Sequence, residues 1–508
     1  MLATVTSATL IGVDAKPVDV EVEMAGGLPL FSVIGLGDAA VKEARYRVQS
    51  ALRATNIEVP RRRVTVNLAP AAHPKDGAGL DLPIALGVML ASGSLDPNQL
   101  HDVMAIGELG LSGALRPVRG VLSMTALARR HGIRRVIVPR ENQQEAMAVS
   151  DIEVIGEPTL ERVVKVLRHE ARPEPPPADP RAEVTTSVAD LSEVHGQQVA
   201  RRALEIVAAG AHNLLLVGPP GSGKTMLARR LPSILPTLTT EERIEVTKIW
   251  SAAGLTLEGG GLLSAPPFRA PHHTMSEAGL IGGGALVRPG EVSLAHRGVL
   301  FLDEIPEIPR RALESLRQPL EDRTVTIARA RSVISLPACF VLIAAANPCP
   351  CGWSGDISGR CTCTREQIER YAGRISGALL DRIDMVVHVD PVDPEALLDH
   401  RSAEGSSVVR QRVVAARQKA VARWQVPNGY RAGSKLRANC QLDDEGRQII
   451  RTAMHTLRMS ARALDRTLRV ARTIADLAGS ERVRSDHVSE ALHYRVRGGW
   501  ASRTSRPR

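Results

Sequence analysis

The sequence predicts an α/β protein made of two α/β domains and a C-terminal helical domain. In both halves of the chain, short apolar runs typical of buried strands alternate with segments of helical periodicity. A proline-rich stretch separates the halves, and beyond about residue 391 the patterns are helical. We therefore expect domains at residues 1–167, 188–390 and 391–500, with a linker at 168–187 and a basic tail at 501–508.

The N-terminal domain is predicted from six segments. Apolar strand-like runs lie at 64–68, 103–106 and 135–138, and helical patterns lie at 38–54, 82–91 and 121–131. The linker that follows carries a run of prolines at 173–180, which cannot support helix or sheet hydrogen bonding.

A phosphate-binding loop opens the second domain. It follows the apolar run 213–217 and comprises Gly218, Pro219, Pro220, Gly221, Ser222, Gly223, Lys224 and Thr225. Glycines let backbone N–H groups curl around phosphates, Lys224 adds a positive charge, and the Thr225 hydroxyl is a ligand for Mg²⁺. A helix begins after the loop, with its positive end towards the phosphates. The pattern predicts binding of ATP with Mg²⁺.

Two carboxylates end the apolar strand at 298–302. We predict that Asp303 holds Mg²⁺, directly or through water, and that Glu304 polarises the attacking water. Asn347 ends another apolar run, at 339–346, and is predicted to position that water. Arg382 lies between Asp381 and Asp384, and taken alone it is better explained by a local ion pair than by catalysis.

Composition narrows the class of protein. The chain has 508 residues, 44% of them hydrophobic, and no apolar stretch approaches the roughly 18 residues of a membrane helix. We expect a cytoplasmic protein with no membrane partner. The net charge of +10 favours a polyanionic partner, for which nucleic acid is the natural candidate. Aromatic residues are only 2%, so we expect arginine contacts with phosphates and not base stacking.

The order of these motifs resembles AAA+ ATPases. The resemblance implies that Asp303 and Glu304 form Walker B, Asn347 is sensor 1, and Arg382 is an arginine finger that reaches a neighbouring subunit's nucleotide, worth roughly 10³–10⁵ in rate. It also implies a closed ring, usually a hexamer. In the helical lid, Arg462 resembles the sensor 2 arginine and is expected to act within its own subunit.

Two further segments, 267–274 and 288–296, resemble the magnesium-chelatase-like ComM/YifB family of AAA+ proteins. In that family they belong to an insert, here 260–297, which favours a pore-side role for His272 and His273 over metal binding. The resemblance implies branch migration or helicase action on recombination intermediates in natural transformation.

Residues 323–336 alternate apolar and polar side chains around a short turn, which predicts a β-hairpin. It resembles the hairpin before sensor 1 in helicase relatives. Arg329 and Arg331 at its tip are candidates for gripping a DNA backbone, or else are solvated turn residues.

Four cysteines, Cys349, Cys351, Cys361 and Cys363, bracket a glycine-rich loop. Four thiolates can bind Zn²⁺ tetrahedrally, although two residues joined as C-x-C are closer than in most zinc sites. Free thiols in a surface loop are the alternative.

The N-terminal domain resembles the Lon-type protease domain, with its ribosomal-S5-like fold, at 74–81 and 107–117. Proteolysis there requires a serine nucleophile and a lysine base. Gly79 and Leu122 stand at those positions, so we expect a non-proteolytic domain for binding or assembly.

Four functions share an ATPase core of this kind. A DNA motor acting on branched or single-stranded DNA agrees with the charge, the hairpin and the insert. The alternative is a chelatase-like motor subunit that remodels a protein partner. A transcription activator would carry a G-A-F-T-G-A loop, which the sequence lacks, and a protease is disfavoured by Gly79 and Leu122.

Overall fold

The structure is a computed structural model, described here for residues 1–35, 39–55, 57, 62–71, 75, 77–176, 189–255, 261–284, 287–329, 332–355, 359–391, 403–431 and 433–495. The predicted basic tail, residues 177–187 of the linker, and Arg331 lie outside these ranges.

The N-terminal part is a mixed α/β domain. Its strands are β1 (Leu2–Ile11), β2 (Asp14–Ala25), β3 (Leu30–Ile34), β4 (Arg63–Ala69), β5 (Val103–Ala105), β6 (Glu108–Leu109), β7 (Leu115–Arg116), β8 (Arg135–Pro139) and β9 (Glu153–Glu157). Its helices are α1 (Ala39–Ala54), α2 (Asp81–Ala91), α3 (Val121–Arg130), α4 (Gln143–Met147) and α5 (Leu160–Leu167). The six predicted segments are confirmed to within a few residues.

Seven of these strands form one sheet in the order β3-β4-β2-β1-β5-β8-β9. β2 pairs antiparallel with both β1 and β4, and the other neighbours are parallel. Helix α2 is buried along its whole length, because both the sheet and α1 cover it.

The second domain begins with α6 (Gln198–Gly210), β10 (Leu214–Val217), α7 (Lys224–Ile234) and α8 (Thr240–Ala253). The insert contains β11 (Phe268–Arg269), α9 (Glu277–Ile281), β12 (Gly282–Gly283), β13 (Arg288–Pro289) and α10 (Glu291–Leu294). Then follow β14 (Val299–Leu302), α11 (Arg310–Ser315), α12 (Arg317–Asp322), β15 (Thr324–Arg329), β16 (Ser332–Pro337), β17 (Val341–Ala346), α13 (Arg365–Ala372), α14 (Gly377–Leu380) and β18 (Met385–His388).

Five parallel strands form the central sheet of this domain, in the order β11-β14-β17-β10-β18. Strands β10, β14 and β17 are buried at every residue, as expected for a parallel sheet covered on both faces. Successive side chains of β10 point to opposite faces of the sheet. Leu214 and Leu216 share an apolar cluster with the C-terminal helices, whereas Leu215 and Val217 share another with residues of the insert. The parallel sheet and helical lid of an AAA+ fold are confirmed.

The C-terminal domain is helical, with α15 (Ser406–Trp424), α16 (Ser434–Asn439), α17 (Asp444–Thr456), α18 (Ala461–Leu477) and α19 (Ser485–His493). Its apolar faces share one core with α6 and β10. The lid is therefore packed directly on the strand that precedes the phosphate-binding loop.

The N-terminal domain docks on helix α8 through polar groups. The backbone N–H of Gly120 donates to the Ser251 hydroxyl (2.9 Å), and that hydroxyl donates to the carboxylate of Glu145. Glu145 also accepts from the backbone N–H of Leu122 (2.8 Å). Burial raises the pKa of Glu145. The contact joins α3 and α4 to the ATPase domain through groups that all find partners.

A second contact joins the N-terminal domain to the predicted hairpin, which the structure contains as β15 and β16. The turn between β1 and β2 carries Gly12 and Val13, and Val13 belongs to the same apolar cluster as Val325 and Leu336 of the hairpin. A Cβ at Gly12 would lie 2.6 Å from Cγ2 of Ile334. The base of the hairpin therefore rests on the N-terminal domain.

Candidate nucleotide-binding site

The phosphate-binding loop joins β10 to α7. Helix α7 begins at Lys224, directly after the loop. The Lys224 ammonium donates to the carbonyls of Gly218 (2.7 Å) and Pro219 (2.9 Å), and it lies 3.3 Å from Oδ1 of Asn347. Burial lowers the pKa of Lys224, and the nearby carboxylates of Asp303 and Glu304 oppose this shift. A buried cation thus lies between the loop and the end of β17.

The candidate magnesium ligands are already adjacent. The Thr225 hydroxyl donates to Oδ2 of Asp303 at 2.8 Å. The other oxygen of Asp303 accepts from the backbone N–H of Glu304 at 2.9 Å, so the carboxylate is held in one orientation. Mg²⁺ prefers oxygen ligands, and in nucleotide sites most of them are waters and phosphate oxygens. A hydroxyl beside a carboxylate suits the few positions that remain for the protein. The residues fit the predicted ion.

Glu304 has a left-handed backbone conformation (φ 48°) at the end of β14, which is uncommon for a residue other than glycine. Its carboxylate lies 3.7 Å from Nδ1 of His273. The His272 ring lies beside that of His273, with centroids 4.1 Å apart and planes tilted by 32°, and it hydrogen-bonds to Thr274 instead. The sequence alone does not connect His273 with Glu304, because only the fold of the insert brings them together.

Strand order explains why these groups meet. β17 lies between β14 and β10, and all three strands run parallel. Asn347, Asp303 and the phosphate-binding loop follow the carboxyl ends of these strands, where ligands bind in open α/β sheets.

Arg382 lies in a different place from these groups. Its guanidinium lies 2.5 Å from Oε1 of Glu321 and donates to the carbonyls of Arg317 (3.2 Å) and Ala378 (2.6 Å). The local pairs expected with its flanking carboxylates are not what the structure contains. Asp381 pairs with Arg466 at 2.9 Å and Asp384 with Arg469 at 3.4 Å.

Arg382 lines a cavity of about 260 Å³ whose wall is rich in arginine. The arginines are Arg323, Arg382, Arg462, Arg466 and Arg469. None of the phosphate-binding loop residues lines it. Arg462 therefore lies with Arg382 and not beside Lys224 of its own chain, so the expected action of Arg462 within its own subunit finds no support in this arrangement.

The other predicted residues lie outside this site. Of Arg329 only the backbone is described, paired with Ser332. Gly79 accepts a backbone hydrogen bond from Gly107 (2.9 Å), and Leu122 is fully buried, so neither supplies a nucleophile or a base. The four clustered cysteines come together, with all their sulfurs within 4.8 Å of one another.

Comparisons with known proteins agree with this architecture. Three family profiles match: "Magnesium chelatase, subunit ChlI" at residues 190–397, "Subunit ChlI of Mg-chelatase" at 20–142, and "Magnesium chelatase, subunit ChlI C-terminal" at 403–495. YifB of Escherichia coli K12 is 42% identical over 504 residues, which cover 97% of each chain. The competence protein ComM of Haemophilus influenzae is 42% identical over 501 residues, again 97% of each.

The chain belongs to the magnesium-chelatase-like ComM/YifB family. The resemblance found in the sequence is thereby confirmed. A more distant relative is the DNA replication licensing factor mcm6 of Dictyostelium discoideum, 29% identical over 205 residues, or 40% of this chain and 20% of that protein. Membership of the ComM/YifB family supports an AAA+ ATPase role for the site built on Lys224 and Asp303.

Within the described ranges, no helix is long and apolar enough to cross a membrane.

Proposed function

We propose that the protein is an ATP-hydrolysing AAA+ ring motor that acts on DNA, as a branch-migration helicase of recombination intermediates in natural transformation. The observation that carries the proposal is the separation of two sets of residues. Lys224, Thr225, Asp303 and Asn347 surround one end of the sheet, whereas Arg382 lines a cavity that contains none of the loop residues. A neighbouring subunit would bring its arginine to the nucleotide, which requires a ring, most simply a hexamer.

In this function the site residues have distinct roles. The phosphate-binding loop holds the ATP phosphates, with Lys224 exchanging its contacts with loop carbonyls for phosphate oxygens. Thr225 and Asp303 would hold Mg²⁺, which when bound neutralises charge on the phosphates. Glu304 accepts a proton from the attacking water, Asn347 orients that water, and Arg382 with Arg462 stabilises the transition state in the neighbouring subunit.

DNA is the substrate favoured by charge and by the hairpin. The net charge is +10, and Arg329 ends strand β15 of the hairpin. Arg331, which lies outside the described residues, is predicted from the sequence to lie at the hairpin tip. The base of the hairpin packs in the same apolar cluster as Leu300 and Leu302 of β14, and it also contacts the N-terminal domain. The name of the ComM relative, a competence protein, agrees with the proposed role in natural transformation, and the cytoplasm is the compartment where that role would be carried out.

A chelatase-like motor subunit that remodels a protein partner is the second candidate. It is favoured by the descriptions of all three matching family profiles, which name a magnesium chelatase subunit. Both candidates use the same ATPase site, so they differ only in what the ring moves.

The decisive experiment is ATP-driven migration of a synthetic four-way DNA junction. We expect wild-type protein to convert the junction to duplex products, and Lys224→Ala and Arg382→Ala to fail. The Arg365→Ala variant is a matched control, because Arg365 lies on the surface of α13 and pairs there with Glu369. ATP turnover that is indifferent to every DNA form would contradict a DNA motor and favour the protein-remodelling candidate.

A further inference from the structure

The loop that follows Asn347 gathers four cysteines. The sulfurs of Cys349 and Cys351 are 3.3 Å apart, and Cys361 lies 3.8 Å from the first and 3.7 Å from the second. With Cys363, all four lie within 4.8 Å of one another. These separations are well beyond the roughly 2.05 Å of a disulfide bond, so the cysteines are free thiols.

The spacing of the sulfurs suits a tetrahedral metal. Four sulfurs at about 2.3 Å from a Zn²⁺ ion lie roughly 3.8 Å from one another. Cys349 is fully buried, and its sulfur accepts a hydrogen bond from the backbone N–H of Ser354 at 3.2 Å, an outer contact of the kind that orients metal ligands. Zn²⁺ is the usual ion for four thiolates, since carboxylates or waters are what Mg²⁺ and Ca²⁺ require.

This cluster is next to the nucleotide site. Cys349 is two residues beyond Asn347, whose side chain contacts Lys224. Gly352, between the two cysteine pairs, has φ +86° and packs against Pro220 of the phosphate-binding loop. A Cβ at Gly352 would lie 2.6 Å from Cδ of Pro220. The cysteine loop and the phosphate-binding loop are therefore in direct contact.

We propose that Cys349, Cys351, Cys361 and Cys363 bind one Zn²⁺ ion, and that this metal site holds the loop after Asn347 against Pro220, keeping the nucleotide site in shape. The second half of the proposal rests on the proposed ATPase function. The metal is structural, because all four positions around it are taken by protein sulfurs and none is left for a substrate.

The metal is tested first, and independently of ATP. Purified full-length protein is expected to contain about one zinc per chain by mass spectrometry. Replacement with Co²⁺ should give the visible absorption of thiolate-bound cobalt. The Cys363→Ser variant should lose both signals, and Cys339→Ser should keep them, because Cys339 lies outside the cluster and bonds to the Tyr430 hydroxyl. Wild-type protein that takes up neither ion would overturn the proposal.

Because the Cys363→Ser variant can fail to fold, the effect of losing the metal is also measured in wild-type protein. This protein is treated with a chelator and then given Zn²⁺ again. Affinity for a fluorescent ATP analogue should fall on chelation and return with zinc. An affinity that stays unchanged when zinc is removed would overturn the link to the nucleotide site.

The contact itself is tested by two alanine substitutions with equal backbone strain. Gly352→Ala is expected to weaken binding of the analogue by about tenfold, the scale of an overpacked contact, while zinc content is unchanged. Gly355→Ala is the control, because Gly355 has φ +82° in the same loop, but a Cβ added there would meet no atom within 4 Å. Equal affinities in the two variants would overturn the coupling. If wild-type protein bound zinc but no nucleotide, the proposed ATPase function would fail while the metal site stood.

Discussion

The guanidinium of Arg382 is held by the carboxylate of Glu321 in the same chain, at 2.5 Å. Glu321 is 56% exposed, whereas the Arg382 side chain is only 13% exposed. A finger that acts on a neighbouring subunit must exchange this partner for a phosphate. Glu321 is therefore a competitor for the arginine.

We expect Glu321→Gln to raise ATP turnover of the assembled ring. Because the Glu321 carboxylate is largely exposed, water screens its interaction with Arg382 to about 1 kcal/mol, so the increase should be up to roughly fivefold. Steady-state phosphate release measures it. Glu314→Gln is the matched control. Glu314, on the neighbouring helix α11, pairs with Arg317 of α12 and not with Arg382. A decrease in Glu321→Gln alone would mean that the pair holds Arg382 in its active position.

Mixing two inactive variants tests action between subunits. Lys224→Ala should abolish nucleotide turnover, and Arg382→Ala should lower it by roughly 10³–10⁵, the effect of losing an arginine finger. In a mixed ring, an intact phosphate-binding loop of one variant can meet an intact arginine of the other. We expect partial recovery of phosphate release that depends on the mixing ratio. No recovery at any ratio would place both residues in one subunit's site.

His273 is expected to assist Glu304. Replacing His273 by alanine removes the ring that lies 3.7 Å from the Glu304 carboxylate, and should lower kcat by up to about fivefold, with little change in KM, given the partial exposure of the pair. His272→Ala should leave kcat unchanged, because His272 bonds to Thr274 instead. Both variants are compared by ATP turnover at saturating nucleotide. Equal effects of the two substitutions would argue for a general disturbance of the insert.

The contact between Gly12 and the hairpin gives a prediction about DNA. Gly12→Ala places a carbon 2.6 Å from Ile334 and should shift the hairpin, abolishing stimulation of ATP turnover by DNA while basal turnover persists. Gly93→Ala controls for backbone strain, since Gly93 also has a positive φ (+78°) but nothing within 4 Å. Titration with single-stranded DNA measures the stimulation. Normal stimulation in Gly12→Ala would show that the N-terminal contact does not matter to the hairpin.

The sheet edge that carries Asp303 and Asn347 could be predicted from sequence, because the carboxyl ends of parallel apolar strands meet at one edge. The first two strands are absent from the six predicted segments, although β2 alternates buried and exposed side chains over most of its length, the period of a half-buried strand. That signal is present in the sequence.

Other features depend on contacts between distant segments and leave no local pattern. The pairing of Arg382 with Glu321 and the approach of His273 to Glu304 are of this kind. The position of Arg462 is another, because the orientation of the helical lid is set by the core that it shares with α6 and β10.

The docking contact around Glu145 has a consequence for engineering. In the resemblance to Lon-type proteases, Leu122 stands at the position of the catalytic lysine. The Glu145 carboxylate accepts hydrogen bonds from both the backbone N–H of Leu122 and the hydroxyl of Ser251 in the ATPase domain. A lysine introduced there would place an ammonium at a fully buried position, next in sequence to the buried Ser123. The position for a catalytic lysine and the hydrogen bonds that join the two domains therefore lie in the same small region. A variant designed to regain peptide hydrolysis would loosen the contact between the domains.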